Sequence, residues 1–187
     1  VANHAGTTPM SMRSDAGYAA ARVVTFLHDR ANASNTPTVA TVGTMRLEPN
    51  AINVIPSRAV FTVDLRNPDE QHLRAEEATL AACLEELAEA EGVTVSVERL
   101  ARFEPVIFDR RIVELIEAAA KKRGLVSKRM TSGAGHDAQM MARIAPAAMI
   151  FVPSVGGISH NPGEHTGDTE LVAGANILLD VVTQLAS

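Results

Sequence analysis

The sequence predicts an α/β fold in two parts: an α+β domain over residues 1–105 and an α/β part over residues 106–187. Three observations carry this. Over the first hundred residues the apolar pattern alternates between period 2 and period 3.6 in the order β-α-β-β-α-β. Beyond Pro105 it changes to helices separated by short extended runs. Glycine-broken loops follow those runs. The first order is that of the split βαβ, or ferredoxin-like, sandwich, with two helices on one face of an antiparallel sheet.

Each element has its own reason. Val1 to Thr7 reads as a short strand. Ser14 or Asp15 caps a helix to about Ala31, with Ala19, Val23, Phe26 and Leu27 at helical spacing. Asn35-Thr36-Pro37 stops it, and residues 38–47, T-V-A-T-V-G-T-M-R-L, are β-branched and strand-like. After the break at Glu48-Pro49-Asn50 comes A-V-F-T-V-D-L-R, residues 59–66. There Phe61, Val63 and Leu65 point one way and Thr62, Asp64 and Arg66 the other, which gives the strand a wet face. Pro68-Asp69-Glu70 opens a helix to about Glu91, with Leu73, Leu80, Leu84 and Leu87 on one side, and Gly92 ends it. Val93, Val95 and Val97 share a face and predict the closing strand, after which Pro105 is the domain boundary.

In the second part a helix from about Asp109 to Lys122 leads through Gly124 to the loop T-S-G-A-G-H-D-A and a helix to about Arg143. A-A-M-I-F-V, residues 147–152, predicts a buried strand. The loop S-V-G-G-I-S-H-N-P-G-E-H-T, residues 154–166, falls after it, where open α/β sheets place their ligands. A last helix starts near Asp168, with Leu171, Leu178, Val181 and Leu185 as its inner face.

Composition excludes several classes of function. With 46% hydrophobic residues among 187, the chain can bury real cores. A formal charge of -5, with no basic cluster beyond Lys121-Lys122-Arg123, leaves no electrostatic footprint for nucleic acid. No apolar run approaches the ~20 residues a membrane-spanning helix takes, so a membrane is not an expected partner. The single cysteine, Cys83, excludes a disulfide within the chain and suits a reducing cytoplasm. The chain begins at Val1 and runs at once into motif-like sequence, which suggests a fragment of a longer protein.

Chemistry concentrates in the loops. His28 and His72 lie in helices beside charged residues and read as solvated, whereas His4, His136, His160 and His165 lie in loops. Residues 154–166 admit two readings. One is a surface turn built on Gly156-Gly157 and Asn161-Pro162-Gly163. The other is a metal loop in which an imidazole ligand is supported by a carboxylate.

Four stretches occur in order: A-N-H-A-G-T-T-P-M with Arg13 and Asp15-Ala16, then N-V-I-P-S-R with D-L-R, then S-G-A-G-H-D-A, then G-I-S-H-N-P-G-E-H-T. Together, and over nearly the whole chain, they resemble the C-terminal part of the carbamoyl-amino-acid amidohydrolases. That family includes N-carbamoyl-L-amino-acid hydrolases, allantoate amidohydrolases and β-ureidopropionases, relatives of dinuclear-metal aminoacylases and exopeptidases. The resemblance implies a ferredoxin-like lid and dimerisation domain over residues 1–105. Residues 106–187 would be the C-terminal part of a dinuclear-metal, aminopeptidase-like α/β catalytic domain.

It also implies roles. His160 matches a metal ligand, with Glu164 either its support or an ordinary loop acid and His165 structural. His4 matches the histidine that polarises the scissile carbonyl and stabilises its tetrahedral intermediate; the plain alternative is a turn residue beside Gly6. Asn53 and Arg66 match the residues that hold the substrate carboxylate, Arg66 through a planar fork, unless it serves only a salt bridge to Asp64. Gly135 matches a residue lining the substrate pocket, with His136 and Asp137 holding its loop; Asp137 reads equally as a first-turn helix acid.

The implied cofactors are two divalent ions (zinc, manganese, cobalt or nickel) in the intact enzyme, with few or none held by this chain. The rest of the family's metal set, another histidine pair, a bridging aspartate and a glutamate, has no match here, nor has its general-base glutamate, and all are expected upstream of Val1. The implied partners are a small ureido acid and a second copy of the chain. A dimerising lid module without catalysis of its own is the alternative.

Overall fold

A computed structural model describes residues 1–187, and the chain divides into two units, Val1–Pro105 and Val106–Ser187. The first holds β1 (Asn3–His4), α1 (Ala16–Ala33), β2 (Val39–Glu48), β3 (Val54–Ile55), β4 (Arg58–Arg66) and α2 (Glu70–Glu91). The second holds α3 (Arg110–Lys122), α4 (Asp137–Met141) and α5 (Asp168–Ala186).

Both helices of the first unit start on an aspartate, as the sequence predicts. Asp15 accepts from the N–H groups of Gly17 and Tyr18, and Asp69 accepts from that of His72. Gly92 ends α2 in the left-handed region at φ 59°, and the Val93 N–H reaches the Ala88 carbonyl at 3.0 Å. That bond satisfies a carbonyl that the last helical turn leaves open, at a backbone angle that glycine adopts most readily.

β2 and β4 pair antiparallel from Val39↔Arg66 to Glu48↔Arg58, with a bulge between Val42 and Thr44. Ala40 and Val42 of β2 and Phe61 and Val63 of β4 face the helices and close on Val23, Leu27 and Leu87. β1 and β3 form a separate ladder, Asn3↔Ile55 and His4↔Val54.

The predicted closing strand at 93–97 is absent. Val95 and Val97 are 45% and 74% exposed, and the segment that follows is tied to α2 instead. Arg102 donates to Glu77 at 2.9 Å and to Glu70 at 2.8 Å. Alternating valines decide which side chains share a face, but a strand also needs a neighbour offering donors and acceptors, and no strand pairs with these residues.

In the second unit α3 and α5 pack through Ala120, Ile177 and Val181, with Ile150 against them. Arg123 grips Asp180 with two hydrogen bonds, 2.7 and 2.8 Å. Two expectations are corrected here. Residues 147–152 form no strand, and Phe151 is 54% exposed. The apolar run fits burial, but no strand of this unit pairs with it. α4 stops at Met141, and the chain turns on to Ile144 instead of continuing as helix.

The inner face of α5 is carried by Ile177 and Val181, while Leu171, Leu178 and Leu185 are exposed. α5 is also long and apolar enough by composition to cross a membrane, with a mean hydropathy of 1.2. That departs from the sequence expectation. Its Asp180 is engaged by Arg123, and its buried residues lie against α3, which is how a domain helix packs.

Gly174 of α5 lies close to Val152. A Cβ there would stand 2.6 Å from Cγ1 of Val152, a stiff β-branched side chain that cannot swing away. Alanine gains about 1 kcal/mol over glycine inside a helix, whereas overpacking costs about 1–3 kcal/mol. Gly174→Ala is therefore expected to destabilise the second unit in urea unfolding, and Val152→Ala added to it should restore the loss. Stabilisation by Gly174→Ala alone would show that the contact is not tight.

Candidate functional site

The residues expected to act on a ligand fall in three places. His4 and Asn53 are brought together by the short β1–β3 ladder, since His4 pairs with Val54 and the Ala5 N–H donates to the Asn53 carbonyl at 2.8 Å. Both residues are exposed.

The His4 ring has a defined hydrogen-bond state. The Gly6 N–H donates to Nδ1 at 3.0 Å, so the ring nitrogen left to carry the proton is Nε2. In the neutral ring this selects the Nε2–H tautomer. Gly6 lies close to the ring, since a Cβ there would stand 3.2 Å from Cε1. The turn behind is closed by Thr8, whose hydroxyl and N–H both reach the His4 carbonyl, at 2.8 and 3.2 Å. Arg13 holds the carbonyls of Ala5 and Thr8. Its role went unread in the sequence, although it stands in the same motif four residues after Pro9.

Arg66 lies elsewhere. The α1 start is fixed near β3, where the Ala16 N–H donates to the Pro56 carbonyl at 3.2 Å. Residues beyond the α1 end are joined to the chain after Arg66, where Asn67 donates to the hydroxyls of Thr36 at 2.9 Å and Thr38 at 2.8 Å. The 18 residues of α1 span about 27 Å, and the eight steps from Arg58 to Arg66 span about 26 Å. Asn53 and Arg66 therefore occupy opposite ends of the unit. Within one chain, the two residues therefore do not converge on a single ligand.

The Arg66 guanidinium is engaged by Asp64 in a two-pronged contact, Nε to Oδ1 at 2.7 Å and Nη2 to Oδ2. Hydrogen bonding to Arg66 holds the Asp64 carboxyl below its ordinary range, against the opposing effect of partial burial. The same contact pushes the Arg66 guanidinium up. Two depressions, of about 340 and 420 Å³, lie along α1 and between α1 and α2, and no candidate site residue lines them.

In the second unit His136 caps α4, with Nδ1 accepting from the Ala138 N–H at 3.0 Å, and Asp137 is its first-turn acid. Gly135 is open, for a Cβ there would meet nothing within 4 Å. Nothing in this chain demands a glycine at that position. Gly135→Ala should leave thermal stability unchanged within about 0.5 kcal/mol, so any weakening of ligand binding by that variant would report contact with the ligand itself.

His160 stands at φ 54°, a left-handed angle uncommon outside glycine and asparagine. Glu164 holds it there, with Oε2 accepting the His160 N–H at 2.8 Å. Glu164 thus supports the backbone and leaves the imidazole exposed. Asn161 closes the turn by accepting from the Gly163 N–H at 2.8 Å.

As a metal centre these residues do not suffice. No group of three or more His, Cys, Asp or Glu side chains is gathered anywhere in the chain, while zinc sites take three or four protein ligands. Elemental analysis of the dialysed chain should find well under about one tightly held divalent ion per molecule. A stoichiometric ion would overturn the assignment of His160 as one donor of a larger set.

Residues 6–184 match Peptidase family M20/M25/M40. The chain is 41% identical to an N-carbamoyl-L-amino-acid amidohydrolase of Rhizobium meliloti, over 98% of this chain and 44% of that protein. It is 36% identical to an allantoate amidohydrolase of Escherichia coli K12, over 98% of this chain and 45% of the relative. Among solved structures, an amidase of the hydantoinase/carbamoylase family from Burkholderia vietnamiensis superposes with a TM-score of 0.93 at 39% identity, over 98% of this chain and 45% of that one. The chain therefore spans less than half the length of these relatives.

Proposed function

The chain belongs to Peptidase family M20/M25/M40, and from that premise we propose that it is part of a metal-dependent amidohydrolase acting on the carbamoyl C–N bond of N-carbamoyl-L-amino acids. The observation that carries the substrate class is 41% identity over 98% of the chain to an N-carbamoyl-L-amino-acid amidohydrolase. The products are the amino acid, ammonia and carbon dioxide. Allantoate is the second reading, favoured by relatives at 36% and 37% identity that bear that activity in their names.

Under this reading residues 1–105 form the lid and dimerisation domain, and residues 106–187 part of the catalytic domain. His4 donates Nε2–H to the ureido oxygen as negative charge develops on it. Asn53 and Arg66 recognise the carboxylate. Because they lie at opposite ends of one unit, a single ligand meets both only when two copies of the chain contribute, which makes the homodimer part of the site. Gly135 lines the pocket. His160 supplies one imidazole to a pair of divalent ions (zinc, manganese, cobalt or nickel), whose function when bound is to activate water. The remaining ligands and the general base belong to the stretch of the relatives' length that this chain does not cover, as do the neighbours that would turn residues 147–152 into a strand. The ferredoxin-like closure belongs to the same proposal, with residues 93–97 pairing in the assembled dimer.

Two measurements test it. Metal-loaded full-length protein should release ammonia from N-carbamoyl-L-amino acids, faster than from allantoate or from the D-enantiomers. No release from any ureido acid would leave a non-catalytic lid module. Sedimentation equilibrium should find a dimer, and monomer alone far above micromolar concentrations would count against the shared site.

A further inference from the structure

We propose that Arg13 is the positioning residue that presents His4 as a neutral Nε2–H donor; the inference rests on the role given to His4 above. Arg13 follows a single 3-10 turn at Met10–Met12 and reaches back over the loop it has just left. Its Nη2 donates to the Ala5 carbonyl at 2.6 Å and to the Thr8 carbonyl at 2.9 Å, and its Nε donates to Thr8 at 3.1 Å. Those two carbonyls bracket Gly6 and Thr7. From the other side, Thr8 closes the turn onto the His4 carbonyl. The segment between them is thus held at both ends, and it carries the Gly6 N–H that selects the tautomer of His4.

The residue type matters. Two carbonyls converge on one point, and charge-assisted bonds from a planar guanidinium satisfy both at fixed geometry. A lysine ammonium is a single point on a flexible stem and lacks the fork. All three bonds of Arg13 stay within residues 5–8, and none reaches α1, β2 or the core. Its loss should therefore loosen the turn and spare the fold. Freed from its Gly6 partner, the His4 ring would exchange between Nδ1–H and Nε2–H forms and rotate, and the outward donor would lose its single direction.

The test is the long-range proton–nitrogen correlation spectrum of the histidines in the 187-residue chain, with His4 assigned by its disappearance in His4→Gln. The parent chain should show the Nε2–H pattern at His4. In Arg13→Ala that pattern should collapse toward an average of both tautomers, with the other five histidines and the amide spectrum of α1 and α2 unchanged. Guanidinium ion at sub-denaturing concentration should draw the pattern back, and equal sodium chloride should not. A folded Arg13→Ala with the parent His4 pattern overturns the proposal. Should that variant unfold, Arg13→Gln decides in the same way, since a neutral amide cannot replace the fork. The outcome is independent of catalysis. A His4 tautomer that responds to Arg13 supports the positioning role even if His4→Ala leaves ureide hydrolysis intact, which would defeat the functional reading alone.

Discussion

In the full-length enzyme, His4→Ala should lower kcat by about 10²–10³-fold with little change in KM, the loss typical of removing one oxyanion donor. The expectation follows from the ring's hydrogen bonds. Nδ1 is occupied by the Gly6 N–H, so the ring can act only through Nε2, as a donor in its neutral form. A donor aimed at charge that develops during reaction contributes to kcat far more than to ground-state binding. His4→Gln places an amide N–H within reach of the same region and should recover part of the loss. Equal activity of the alanine and parent enzymes would reduce His4 to a turn residue beside Gly6.

Arg66→Lys should weaken binding of the carboxylate substrate by about 1–3 kcal/mol, the range for hydrogen bonds to a charged group, and should raise KM accordingly. A ureide without a carboxylate should be little affected. Charge survives in this variant and the fork does not. The structure adds a competitor, because Asp64 already occupies the guanidinium. A ligand carboxylate competes with it for the guanidinium, so Asp64→Asn should tighten carboxylate binding where Arg66→Lys weakens it.

The pH dependence has the corresponding sign. The folded Asp64 carboxyl titrates below its ordinary range through the Arg66 hydrogen bond, so its contribution to stability is complete above that range and lost as pH falls through the depressed value. Both side chains are about half exposed, 46% and 51%, which keeps that contribution within about 1 kcal/mol. Equal losses on both ureides with Arg66→Lys, and no gain with Asp64→Asn, would make the pair purely structural.

Helices and their ends were legible from sequence because their causes are local. Asp15, Asp69 and Asp109 each cap the helix they precede, and Gly92 ends α2 in the one backbone region that glycine reaches most easily. These bonds join residues two to five apart, and no distant partner is needed. The strand pair β2–β4 was legible for a related reason. Residues 38–47 are rich in β-branched side chains and residues 59–66 alternate, and their apolar members find a core within the same unit.

The two extended runs that failed, 93–97 and 147–152, carry the right residues but lack a neighbour. The ladder hydrogen bonds that define a strand need a neighbouring strand, which hydrophobic periodicity does not report.

The site divides in the same way. Motif and residue type identified His4, Asn53, Arg66, Gly135 and His160 as candidates. Only the tertiary structure decided that His4 donates from Nε2, that Asp64 holds the fork of Arg66, and that Glu164 supports the backbone of His160 and not its ring. It also separated Asn53 from Arg66, since their spacing along the chain says nothing about which way β4 runs relative to α1. The contacts at His4, Arg66 and His160 join residues only two to four apart, but they depend on rotamers and loop backbone angles that no periodicity reports, while the separation of Asn53 from Arg66 depends on three-dimensional packing.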